Sequence, residues 1–444
     1  MTETILIRGG RVIDPARGLD EVQDVLLRDG KVAAVEADLR STEADRVIDA
    51  AGKLVTPGLI DVHVHFRDPG FTEKETLETG AHSAAVAGFT TVCCMPNTSP
   101  ALDTPDRIRD IVERSRGLPT RVHPIGAISV GRAGAELADL RGMAEAGAIG
   151  FSDDGDSTKS SAIMRKALEL TKELDLPIMV HCEDWTLIEG GAINEGPVSQ
   201  ELGLPGLTAK CEEIIINRDI ELARLTGGWL HVLHVTTERG RDLVREAVRE
   251  GYRVTAEVMP HHLVMTEDWV AGRRKLVGSD ETVPGKCPDQ NAKVNPPLRT
   301  ERDARALLEG VLDGTFEILA TDHAPHAPQD KPDDLTKAAS GMIGLEVAIP
   351  SLMHLVRLGE LPLTTMIERL TVAPARVFGF EGGSLNPGMV ADVTIIDPED
   401  RWVVDESTIV SKSKNTPLLG MEMQGRSTTT ILGGEVVHEL QATS

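Results

Sequence analysis

The side chains in this chain best suited to chemistry are histidines and aspartates that end short apolar runs. In Asp61-Val62-His63-Val64-His65 the two imidazoles stand two positions apart. Side chains two apart on a strand share a face, so His63 and His65 can grip one ion, although two hydrogen-bonded core histidines would give the same pattern. Four more runs end alike: Phe151-Ser152-Asp153-Asp154-Gly155, Met179-Val180-His181, Val232-Leu233-His234 and Ala320-Thr321-Asp322-His323. Several imidazoles with a few carboxylates suit a borderline ion such as Zn2+, and the candidates are too many for one tetrahedral site. Two ions sharing a carboxylate is the better count. Such a pair activates water and polarises a carbonyl, while a nearby carboxylate carries the proton from nucleophile to leaving group.

These residues need elements that gather them. Strand-like runs over residues 59–65, 89–95, 121–127, 148–153, 177–182, 230–235, 252–258 and 317–322 alternate with helical stretches such as 161–173, 212–225, 238–250, 301–312 and 363–378. Eight βα units predict an α/β fold with a closed (β/α)8 TIM-type barrel, whose chemistry sits at the carboxyl ends of its strands. Residues before this region read as short strands with turns at Gly9-Gly10 and Asp29-Gly30, and the texture returns near the end, with a turn at Gly433-Gly434. The expected organisation is therefore a small β-sandwich domain from residues 1–56 and 379–444, and a barrel over 57–378. Residues 266–293 are a polar insertion, and 327–342 a polar segment expected to be a mobile lid.

Composition removes other classes. Of 444 residues, 41% are hydrophobic and 26% charged, which is ordinary for a globular protein, and the formal net charge is -24. That charge repels phosphate backbones and anionic lipid, so neither nucleic acid nor membrane is an expected partner. The first residues show no basic-then-apolar leader and no apolar run nears about 18 residues, which gives the expectation of a cytoplasmic protein. Five cysteines without paired Cys-x-x-Cys spacing are expected to be reduced and mostly buried.

Pro57-Gly58-Leu59-Ile60-Asp61-Val62-His63-Val64-His65 resembles the first-strand signature of the amidohydrolase superfamily, and Phe66-Arg67-Asp68-Pro69-Gly70 after it resembles dihydroorotases. Met95-Pro96-Asn97-Thr98, His181-Cys182-Glu183-Asp184, Asn295-Pro296-Pro297-Leu298-Arg299 and the run Ala320 to His326 agree, so the resemblance spans nearly the whole chain and is greatest to the bacterial type I enzymes. It implies the same barrel with a split sandwich, reversible closure of N-carbamoyl-aspartate to dihydroorotate in pyrimidine synthesis, and two Zn2+ per subunit. Carried over by position, it makes His63, His65 and Asp322 ligands of one zinc, His181 and His234 ligands of the other, Asp154 the bridge and Asp322 also the proton carrier. Asp153 rivals Asp154, and His231 rivals His234. A lysine bridge is not expected, because Lys159 lies five residues past Asp154.

The resemblance assigns substrate contacts to His65, Phe66, Arg67, Asn97, Asn295, His326, Ser340 and Gly341. A guanidinium fork suits a carboxylate, which makes Arg67 the natural anchor; the plain alternative is an ion pair with Asp68. For Asn295 the alternative is a turn residue before Pro296. His261 and His262 read as structural, and His82, His123, His354 and His438 as packing or solvent residues. One departure is Ala339-Ser340-Gly341, where the family commonly has Pro-Phe-Gly. The small-molecule substrate aside, a homo-oligomer and assembly with aspartate transcarbamoylase are expected. The rival functions are a hydantoinase or allantoinase, and a metal-free scaffold for aspartate transcarbamoylase.

Overall fold

The computed structural model describes residues 3–440. Strands Leu59–Val64, Phe89–Cys94, Arg121–Pro124, Ile178–Val180, Leu230–Val232, Val254–Val258 and Ile318–Leu319 run parallel. Their apolar side chains are buried, as strands covered on both faces require. Seven of the expected runs are thus regular strands. The fourth, expected over 148–153, shrinks to one residue, Phe151, which bridges Gly126 on one side and Ile178 on the other. There Asp153 draws the Ser129 amide to its own carboxylate at 3.0 Å, which competes with a ladder bond. Val64 bridges His323, and the His65 amide donates to the His323 carbonyl at 2.9 Å, so the ring closes.

The helices lie close to their expected places: Ser161–Leu174, Lys210–Thr226, Glu238–Arg249 and Glu301–Leu312. Ser160, Thr237 and Thr300 cap three of them by accepting a bond from a first-turn amide. The expected helix over 363–378 is two, Leu363–Leu370 and Val372–Phe378, broken at Thr371. Pro374 has no N–H to give, so it is tolerated only in the first turn of a helix that starts anew. Among the described residues no helix is long and apolar enough to cross a membrane.

Helix Leu77–Val86 packs so tightly on the first strand's exit that a Cβ at Gly80 would lie 2.4 Å from the Phe66 ring. Gly80→Ala is therefore expected to lower stability by about 1–3 kcal/mol, because the core cannot yield without moving a fully buried ring. Denaturant unfolding of both proteins measures it, and an unchanged midpoint would contradict this packing.

Both terminal segments share one sheet. Its order is Glu435–Glu439, Glu422–Leu432, Val393–Val403, Leu54–Pro57, Ile5–Asp14, Leu19–Arg28, Lys31–Glu36, with Arg46–Asp49 also paired to Ile5–Asp14. The turn expected at Gly9-Gly10 is instead a bulge inside Ile5–Asp14; Gly9 takes φ +69° and gives its amide to Asp24 at 2.8 Å. The turns at Asp29-Gly30 and Gly433-Gly434 are present and touch each other, a Cβ at Gly30 falling 3.0 Å from the Gly433 carbonyl oxygen. Ile5, Val25, Val55, Val393 and Ile431 from both ends of the chain fill one core. Gly58 donates to the Asp392 carbonyl and Thr394 to that of Gly88, fixing sheet to barrel.

Candidate metal centre

The carboxyl ends of the barrel strands converge on a cavity of about 270 Å³. His63 and His65 leave the first strand on one face, as their spacing requires. The backbone then turns left-handed at Arg67, His234 and Asp322, with φ of +60°, +30° and +48°. Such a conformation costs a non-glycine residue of order 1 kcal/mol or more, and here it swings three functional side chains over the barrel mouth.

Asp154 stands between two groups of nitrogens. Its Oδ2 lies 3.7 Å from His63 Nε2 and 3.4 Å from His65 Nε2, while its Oδ1 lies 3.5 Å from His181 Nδ1 and 3.4 Å from His234 Nε2. Asp322 joins the first group, its Oδ1 being 2.8 Å from His65 Nε2 and 3.5 Å from His63 Nε2. In the second group His181 Nδ1 and His234 Nε2 are 2.9 Å apart. Burial works to raise the Asp154 and Asp322 carboxyls, but the surrounding imidazoles outweigh it and hold both well below the usual carboxylate range.

The donor set fits a metal. His63 Nε2 and Asp154 Oδ1 are buried without a hydrogen-bond partner among the described residues, a cost that a cation between them would remove. His63, Asp154 and His234 form one group of converging ligand atoms, and His63, His65 and Asp322 another. The rivals face elsewhere. Asp153 is used up by the Ser129 amide and hydroxyl and by Thr158, at 3.0, 2.7 and 3.0 Å, and His231 lies beneath the site against Glu257.

Arg67, Asn97, Asn295, His326, Ser340 and Gly341 line the same cavity. Asn97 also accepts from His65 Nδ1 at 2.8 Å, which leaves His65 Nε2 bare toward Asp154. Asp68 pairs with Arg114, and among the described residues Arg67 has no carboxylate partner; its Nε donates to the Pro325 carbonyl at 3.2 Å. Burial pushes the Arg67 guanidinium down to about 10, still charged at neutral pH. Phe66 is a correction. It does not line the cavity but is buried among core residues, because the alternation that aims His65 inward aims Phe66 outward.

Three residues at or beside the cavity were not among the expected site residues. Gly155 and Ala324 line it beside expected residues. Asn415 accepts from the His326 amide at 2.9 Å and donates to the Ala324 and Gly341 carbonyls at 3.0 and 3.1 Å, stapling both sides of the loop that bears His326. The segment over 327–342, expected to be mobile, is tied down by two buried lysines: Lys293 donates to the Leu335 and Ala338 carbonyls, Lys331 to those of Gln290 and Lys293. His261 and His262 sit on helix Pro260–Val264 away from the cavity lining, and His123 stacks on Phe380.

Comparison with known proteins agrees with this geometry. A dihydro-orotase-like family profile matches residues 52–240 and an amidohydrolase family profile matches residues 348–438. A dihydroorotase of Anaeromyxobacter dehalogenans is 45% identical over 441 residues, 99% of each chain, and one of Syntrophotalea carbinolica is 44% identical over 437 residues, covering 98% of this chain and 99% of the relative. The chain belongs to the dihydroorotase family. Among solved structures, an L-hydantoinase (dihydropyrimidinase) of Arthrobacter aurescens superposes with a TM-score of 0.85 at 28% identity, over 100% of this chain and 98% of that one. A dihydropyrimidinase of Brevibacillus agri, at 23% identity and a TM-score of 0.82, covering 98% of this chain and 95% of that one, shares the fold. The His and Asp cluster is thus the metal site of a dihydroorotase-family barrel with a terminal β-sandwich.

Proposed function

We infer that the chain is a dihydroorotase that closes N-carbamoyl-L-aspartate to (S)-dihydroorotate and reopens it, in the cytoplasm, using two Zn2+. The observation that carries this reading is the division of Asp154, one oxygen toward His63 and His65 and the other toward His181 and His234, with Arg67, which has no carboxylate partner among the described residues, on the same cavity. His63, His65 and Asp322 would hold one ion, His181 and His234 the other, and Asp154 would bridge them. Bound zinc supplies Lewis-acid polarisation of the ring carbonyl and lowers the pKa of water.

The remaining work falls to the chain. Arg67 offers its guanidinium to the substrate carboxylate, with Nε on the Pro325 carbonyl and Nη2 3.3 Å from His326 Nε2, and Asn97, Asn295 and His326 border the ring. Burial first, then Arg67, hold His326 neutral, at about 2, so its ring adds no charge to the anion site. Asp322 Oδ1 faces His65, and Oδ2 has no partner among the described residues. Oδ2 takes the proton from the attacking water and delivers it to the departing ring nitrogen. Ser340 and Gly341, at the end of the tethered segment, line the same cavity.

The resemblance to hydantoinase structures makes an uncharged cyclic amide the competing substrate, and Arg67 separates the two. Arg67→Lys keeps the charge but loses the planar fork, so kcat/KM on dihydroorotate should fall by about 1.5–3 kcal/mol equivalent with zinc content unchanged. The same variant should lose much less on a hydantoin. A kinetically silent Arg67→Lys, or a wild type that prefers the hydantoin, would transfer the assignment to hydantoinases. Assembly into a homo-oligomer or with aspartate transcarbamoylase belongs to the same reading, and light scattering with and without the transcarbamoylase tests it.

A further inference from the structure

Behind the metal site, a single chain of hydrogen bonds runs down the barrel interior. His63 Nδ1 lies 2.6 Å from Glu257 Oε1, Glu257 Oε2 lies 3.2 Å from His231 Nε2, and His231 Nδ1 lies 2.8 Å from Thr255 Oγ1. The Trp229 indole nitrogen ends it, 3.0 Å from the same Thr255 oxygen. His63, Glu257 and His231 are wholly inaccessible to solvent.

The direction of the chain is fixed at its centre. A carboxylate only accepts, so Glu257 Oε2 takes the proton of His231 Nε2, and His231 Nδ1 accepts from the Thr255 hydroxyl, which itself accepts from the Trp229 indole N–H. The other carboxylate oxygen accepts from His63, whose proton must sit on Nδ1, and His63 Nε2 is left as a bare lone pair facing Asp154 and Asp322. Every member is satisfied with both imidazoles neutral and one buried carboxylate between them. Glu257 comes from strand Val254–Val258 and His231 from Leu230–Val232, so the rigid wall of the barrel holds the arrangement.

We propose that Glu257, oriented by His231, is a positioning residue that locks His63 as the Nδ1–H tautomer and so sets the metal affinity of the site. The proposal rests on the reading of His63 as a ligand. A glutamine at 257 offers one acceptor and one donor where two acceptors are required. Either its amide N–H faces His63 and drives the ring proton to Nε2, or it opposes the N–H of His231. Partners behind a ligating histidine are typically worth 10–100-fold in metal affinity.

The test is zinc binding by the whole protein against a chromophoric chelator, with wild type, Glu257→Gln and His63→Ala compared, and ring 15N shifts of histidine-labelled, zinc-loaded wild type. Glu257→Gln should bind zinc about 10- to 100-fold more weakly, and wild-type His63 should show a protonated Nδ1. Equal zinc affinity in wild type and Glu257→Gln, with His63→Ala deficient, overturns the proposal and leaves the ligand reading intact. Full zinc affinity in His63→Ala overturns the ligand reading itself, and the proposal with it. Should Glu257→Gln fail to fold, the wild-type spectrum decides alone: a His63 proton on Nε2 defeats the proposal.

Discussion

Asp322→Asn should reduce turnover on the order of 100-fold or more, the usual scale of a lost general acid-base group. The substitution keeps the outline of the side chain, including an oxygen that can face His65 from where Oδ1 now lies at 2.8 Å. What it removes is the basic oxygen on the cavity side, so the attacking water has no proton acceptor and the departing nitrogen no donor. The loss should fall on kcat more than on KM, since Arg67 and Asn97 still hold the substrate. Zinc content has to be measured on the same preparation, because Asp322 also belongs to the first ligand group. Near-normal turnover with zinc intact would require a different proton carrier.

Removal of metal should have the larger effect, abolishing activity, and added zinc should restore it. Four imidazoles and two carboxylates are buried at the barrel mouth, where His63 Nε2 and Asp154 Oδ1 have no hydrogen-bond partner among the described residues to replace an ion. The apo protein should also melt at lower temperature, since any ligand bound only by the folded state adds to its stability. Acid acts in the same direction. The imidazoles must be unprotonated to bind metal, so protons compete with zinc for the same nitrogens and retention of zinc should weaken as pH falls. A fully active preparation free of transition metal would overturn the assignment of the centre.

The sequence exposed the ligand types but not always their aim, and the backbone explains the difference. His63 and His65 obey strand alternation, so their shared face was legible from spacing alone. Asp153 and Asp154 could not be separated in that way, because the chain is bridged at Phe151 alone before it turns and each carboxylate finds its own surroundings. His231 and His234 pose the same difficulty: strand Leu230–Val232 ends before His234, whose left-handed backbone overrides the alternation. Asn415 was out of reach altogether, since it meets Ala324 and Gly341 across 91 and 74 positions with no motif of its own. The barrel was easier to read, because hydrophobic runs and helix caps are local signals, and the reading failed at the fourth strand, where the Asp153 carboxylate takes the Ser129 amide.

The shared terminal sheet places a constraint on biosynthesis. Thr56 and Thr394, neighbours across the strands Leu54–Pro57 and Val393–Val403, are 338 positions apart. At roughly 5–20 residues per second, the ribosome takes about 17 to 70 s to deliver the second strand after the first has emerged. Throughout that interval Leu54–Pro57 has an unpaired edge beside a nascent barrel, and such an edge is a template for pairing with a neighbouring chain on the same polysome. The yield of native protein is thus a race between elongation and edge-to-edge association, and slower initiation, which spaces the ribosomes apart, favours the native outcome.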